Sequence, residues 1–174
     1  MILKRTAAIV TLVVGTSIVV TAGAQSTNPL QARLKQLFPA ATAFSPKGGE
    51  PPHFKAFGPD GKDVVGYAFY TTEVSPLERG YGGPIVMLVG IDTKGLLTGV
   101  IITEHHEPYG DFSIDRPAFA ATFRGKDVRD PFRLGTDVDA VSRATITMSS
   151  AVRAIRNSAR RVARELIAPP GAKP

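Results

Sequence analysis

The stretch DAVSRATITMSS (139–150) concentrates the residue types that can do chemistry. Asp139, Ser142, Arg143, Thr145, Thr147, Ser149 and Ser150 bring an acid, a guanidinium and several hydroxyls into one short run. Read as an extended segment, Thr145 and Thr147 share one face, and Ile146 and Met148 point into a core. Ser149 is then the expected N-cap of the helix that follows. Hydroxyls beside a helix N-terminus meet free N–H groups and the positive end of the helix dipole, a setting that suits a phosphate. Arg143 can add a charge-assisted hydrogen bond. The same residues also describe an ordinary strand-to-helix junction closed by a serine cap, and on residue types alone that junction is the leading reading.

Two further clusters carry candidate chemistry. In EHHE (104–107) two imidazoles and two carboxylates suggest a metal. At a strand end, alternation separates Glu104 and His106 from His105 and Glu107, and neither pair closes a four-ligand site. A polar strand end lining a pocket is the expectation, with no metal site. In RGYGGP (79–84) Gly80, Gly82 and Gly83 surround Tyr81. Glycines allow close backbone approach, but no Lys-Ser/Thr follows and the spacing is not G-x-G-x-x-G. No nucleophile elbow accompanies the histidines, so no catalytic residue is assigned.

Composition narrows the field. The 174 residues carry a formal charge of +6 and no cysteine. Disulfides, thiolate zinc sites, iron–sulfur clusters and c-type haem attachment are thereby excluded. At the N-terminus, Lys4 and Arg5 precede an apolar run from Ala7 to Val20, and Ala22-Gly23-Ala24 follows. This is the layout of an export signal, and a retained membrane anchor is the second reading. Either way the remainder is expected on the periplasmic or extracytoplasmic side. Domain limits follow: 1–24 signal or anchor, 25–53 linker and short helix, 54–168 the main domain, 169–174 a flexible tail.

The elements that must position these clusters are legible from periodicity. LQARLKQLF (30–38) has helical spacing behind Pro29. HFKAFGPDGKDVVGYAFYTT (53–72) reads as a hairpin around Gly-Pro-Asp-Gly. IVMLVGID (85–92) and LLTGVIITEH (96–105) form a second hairpin around Asp92-Thr93-Lys94-Gly95. RPAFAATFRG (116–125) suggests a short helix with Asp115 as its N-cap. Val152, Ile155, Ala159, Val162 and Leu166 mark the buried stripe of a long C-terminal helix. Arg153, Arg156, Arg160, Arg161 and Arg164 fall largely off that stripe, as a solvated face does, and no nucleic-acid motif accompanies them. The class is α+β: an antiparallel sheet built from hairpins, with a short helix and a long amphipathic C-terminal helix packed on it.

Taken in order, GYGGPI (80–85), VGIDTKGLLTGVIITEHHEP (89–108) and DAVSRAT (139–145) resemble the FMN-binding domain family. That family includes the flavin subunits of sodium-pumping NADH:quinone oxidoreductases and Rnf complexes and the periplasmic part of NosR-type proteins. The likeness spans about residues 54–167. It implies FMN joined by a phosphoester to Thr145, installed by a separate flavin transferase. Asp139 and Ser142 would be recognition or positioning residues, and Ala144 and Thr147 neighbours of the attachment point. The Gly80–Pro84 loop (Gly80, Tyr81, Gly82 and Gly83) and the 104–109 segment (Glu104, His106 and Glu107 foremost) would line the flavin pocket. The redox chemistry would belong to the isoalloxazine. The resemblance is to the flavin module alone, which implies separate electron partners: a membrane electron-transfer complex or periplasmic redox proteins, with membrane contact through an uncleaved N-terminus. Arg143 stands where the family usually has glycine. It either pairs with the phosphate or prevents modification, and the latter makes the chain a flavin-free structural or binding subunit that keeps the fold.

Overall fold

The computed structural model describes residues 28–74, 76–138 and 144–167. It contains an antiparallel sheet with helices on both faces. Helix α1 (Pro29–Leu37) opens with Asn28, whose side chain accepts a hydrogen bond from Leu30 N–H at 3.0 Å, and has Pro29 in its first turn. Strands β1 (Ala43–Phe44), β2 (Phe54–Phe57), β3 (Val64–Tyr70), β4 (Val86–Asp92) and β5 (Leu97–Glu104) pair in sequence order, all antiparallel. Helix α2 (Pro117–Thr122) follows β5, and helix α3 (Thr145–Leu166) ends the described chain.

Alternation along the strands sorts the core into two layers. Phe69, Val89 and Val100 sit on adjacent strands and pack with Met148, Ile155, Ala159 and Val162 of α3. On the other face, Ala68 and Leu88 pack with Leu34, Leu37 and Phe38 of α1 and the residue after it. Each layer removes apolar surface from water and anchors one helix to the sheet. The α+β expectation holds in the antiparallel sheet and the long C-terminal helix.

Close approach of Phe38 to the sheet requires glycine beneath it. A Cβ at Gly66 would lie 2.4 Å from the Phe38 ring and 2.5 Å from the Ile91 carbonyl oxygen, and one at Gly90 would lie 3.1 Å from the same ring. The sheet thus carries a shallow saddle in which α1 seats.

Three local expectations change. Helix α3 begins at Thr145, so Thr145 to Met148 form its first turn and are not extended. Ala144 is the N-cap, and Ser149 lies inside the helix. Asp115 does not cap α2; Arg116 occupies the N-cap, and the Asp115 carboxylate pairs with His105 Nε2 at 2.9 Å. The arginine face of α3 is partly committed to structure. Arg160 donates to the carbonyls of Val128 at 2.9 Å and Asp130 at 2.8 Å, and so ties the loop after α2 to α3. In that loop the Arg129 guanidinium clasps Asp127 and holds its carboxyl down at about 2.

Gly66→Ala is expected to lower unfolding free energy by about 1–3 kcal/mol through overpacking against backbone. Gly48→Ala, which meets nothing within 4 Å, is expected to be near neutral. Chemical denaturation of the two variants beside wild type checks the pair.

Candidate functional site

Three segments far apart in sequence meet beside the start of α3. The first is the glycine loop before β4, closed by a Gly80 N–H bond to the Gly83 carbonyl at 2.7 Å and a bridge between Arg79 and Pro84. The second is the turn after β5. The third is the first turn of α3.

Glu107 joins them. Its side chain is only 6% exposed, unusual for a carboxylate without compensation. Gly82 N–H donates to Oε1 at 2.8 Å and Tyr81 N–H to Oε2 at 3.1 Å. The Thr147 hydroxyl also donates to Oε2. Glycine is required on the loop side. A Cβ at Gly80 would stand 2.2 Å from Glu107 Oε1, and one at Gly82 would stand 1.9 Å from the His106 carbonyl oxygen. The main chain of Glu107 is engaged as well: its N–H donates to His105 Nδ1 at 3.1 Å, and its carbonyl accepts from Gly110 N–H at 3.1 Å. Because Nδ1 accepts, the His105 proton lies on Nε2, facing Asp115. Glu78 holds the lead-in of the glycine loop to α3, accepting from Arg153 Nε at 3.1 Å and Asn157 Nδ2 at 3.0 Å.

A pocket of about 320 Å³ opens over this junction, lined by Tyr81, Tyr109, Ala144, Thr145, Ile146 and Thr147. Tyr81 is 73% exposed, Tyr109 49% and Ile146 61%. Such apolar exposure on a folded chain marks a surface that receives something. Thr145 is also exposed, and among the described residues its hydroxyl has no partner. Ala144 supplies no side-chain oxygen to the first-turn N–H groups of α3. The two hydroxyls therefore differ in availability: Thr147 is buried and bonded inward, whereas Thr145 faces solvent. Larger hollows of about 560 Å³ beside α1 and about 420 Å³ beside Phe38 and Arg124 lie elsewhere, away from the glycine loop, Glu107 and the start of α3.

The residues singled out from sequence divide accordingly. Gly80, Tyr81, Gly82, Gly83, Glu107, Ala144, Thr145 and Thr147 come together. Glu104 and His106 stay at the surface and do not line this pocket, because β5 ends at Glu104 and the alternation that paired them ends with it. Asp139, Ser142 and Arg143 lie outside the described residues. Tyr109 belongs to the 104–109 segment expected to line the pocket, whereas Ile146 was expected to point into the core. Met148, Ala151 or Val152, and Ile155 already show helical spacing, and that stripe places Ile146 outward. Among the described residues no group of three or more His, Asp or Glu is arranged to hold a metal, and no helix is long and apolar enough to cross a membrane.

Residues 80–160 match the family model of the FMN-binding domain. This segment belongs to the FMN-binding domain family. The matched span contains the glycine loop, Glu107 and the first turn of α3. The chain is also 29% identical over 146 residues to the regulatory protein NosR of Stutzerimonas stutzeri, covering 78% of this chain and 20% of the relative. It is 30% identical over 140 residues to the regulatory protein NosR of Pseudomonas aeruginosa, covering 72% of this chain and 19% of the relative. The chain thus spans about one fifth of the length of these relatives.

Gly82→Ala forces a Cβ into the His106 carbonyl, so the loop must lift from Glu107. A loss of about 1–3 kcal/mol is expected. Tryptic cleavage after the exposed Arg79 should accelerate in parallel, which timed digestion of the native protein measures.

Proposed function

We propose that the chain is an exported electron-transfer flavoprotein whose FMN is joined through its phosphate to Thr145. One observation carries the assignment: Thr145 is exposed at the start of α3, its hydroxyl without a partner among the described residues, in a pocket walled by Tyr81, Tyr109 and Ile146. The chemistry of these residues fits the two ends of FMN. The first-turn N–H groups of α3, to which Ala144 supplies no side-chain cap, suit a phosphate. The exposed aromatic and aliphatic side chains suit a flat, largely apolar ring system. When bound, the flavin supplies one- and two-electron chemistry. The protein's own part is to present the hydroxyl and hold the ring's surroundings.

Ester formation joins Thr145 Oγ1 to the flavin-bearing phosphorus while the pyrophosphate P–O bond of a flavin dinucleotide donor breaks. The nucleoside monophosphate leaves with the hydroxyl proton, no electrons are exchanged, and the modified chain gains the mass of FMN less one water. A flavin transferase acting after export supplies the group. The electron partners are separate proteins at or near the membrane, and the N-terminal segment adds a membrane contact where it is retained. Arg143, in place of the family's glycine, keeps one rival in play: a flavin-free subunit with the same fold.

Co-expression with a flavin transferase tests the assignment. Wild type is expected to show a fluorescent band on a denaturing gel, and Thr145→Ala none, with unchanged folding by circular dichroism. A dark wild-type band from a transferase-competent host supports the flavin-free rival.

A further inference from the structure

We propose that Glu107 is the positioning residue of the flavin site, shaping the pocket around Thr145 without itself being a cofactor ligand. This rests on the reading of Thr145 as the FMN-bearing residue. The carboxylate is buried, and both of its oxygens are already taken by protein donors. It therefore has little capacity left for a ligand. What it does have is a tie to every wall of the pocket.

Tyr81 is held through its own N–H, bonded to Oε2 at 3.1 Å. Tyr109 is held through the turn that the Glu107 carbonyl closes with Gly110 N–H at 3.1 Å. The first turn of α3 is held through the Thr147 hydroxyl. In a helix, residues two apart point in different directions, so fixing Thr147 inward leaves Thr145 outward. His105, locked by Asp115, receives the Glu107 N–H and fixes the main chain from which the carboxylate extends. One side chain thus sets the spacing of two tyrosines and the orientation of the acceptor helix.

Glu107→Gln tests this with little change of volume. The amide replaces one acceptor oxygen by a donor, and every group facing that end is itself a donor. Thr147→Val, which deletes one of the three donors and keeps the shape, is the second variant, used where Glu107→Gln does not fold. Both are made in the full chain, co-expressed with the flavin transferase, and compared with wild type below their unfolding temperatures. The readouts are covalent flavin per chain, flavin emission per bound flavin and its anisotropy. Stacked tyrosines quench flavin emission, so loosened walls should raise emission severalfold and lower anisotropy, while flavin remains on Thr145. Tyr81→Leu and Tyr109→Leu should reproduce the rise with Glu107 intact. A purely structural role would lower the unfolding temperature and leave emission and anisotropy at wild-type values, and that result overturns the inference while leaving the Thr145 reading intact. A wild-type chain without covalent flavin overturns both.

Discussion

Burying a carboxylate costs free energy unless its oxygens are met by donors. At Glu107 the cost is offset by two backbone N–H groups and one hydroxyl, drawn from two other segments of the chain. No local segment can supply that set. Tyr81 and Gly82 precede Glu107 by 26 and 25 residues, and Thr147 follows it by 40. Strands β4 and β5 bring the glycine loop and the turn after β5 to the same end of the sheet, and α3 must lie across the sheet for Thr147 to reach them. The site is therefore a product of the whole scaffold, and the glycines at 80 and 82 exist where the three segments come too close for a side chain.

The scaffold itself divides labour between its faces. Phe69, Val89 and Val100 bind the length of α3, while Leu34, Leu37 and Phe38 cover the opposite face over the glycine saddle. Both faces of the sheet are packed, leaving its end at the glycine loop for function. Every large apolar side chain exposed among the described residues lies on the segments that meet there: Leu77 and Tyr81, Tyr109 and Phe112, and Ile146. A protein that spends apolar surface so selectively keeps it for a ligand or partner.

Much of this was legible in the sequence. The two hairpins, both local pairings within the meander, follow from apolar runs around Gly-containing turns, and the stripe from Val152 to Leu166 marks the helix. The start of α3 was not legible in the same way. Thr-Ile-Thr is β-branched and alternating, so local preference favours an extended segment. Burial of Met148 in the core and the bond from Thr147 to Glu107 override that preference. Asp115 shows the same limit, since an aspartate before a proline-led helix fits a cap, yet a histidine ten residues earlier in sequence claims it. Glu107 was visible as an acid in a polar cluster. Its partners were not, because nothing in a linear pattern links a glycine loop, a turn and a helix start.

The proposed attachment point of the flavin is a single hydroxyl, that of Thr145. Trypsin cuts after Arg143 and Arg153, releasing residues 144–153 as one peptide with both threonines. Fragmentation of that peptide by tandem mass spectrometry, from protein matured with a flavin transferase, locates any added group. The expected result is the mass of FMN less water on Thr145, with Thr147 unmodified. An unmodified peptide, or the added mass on Thr147, would contradict the assignment.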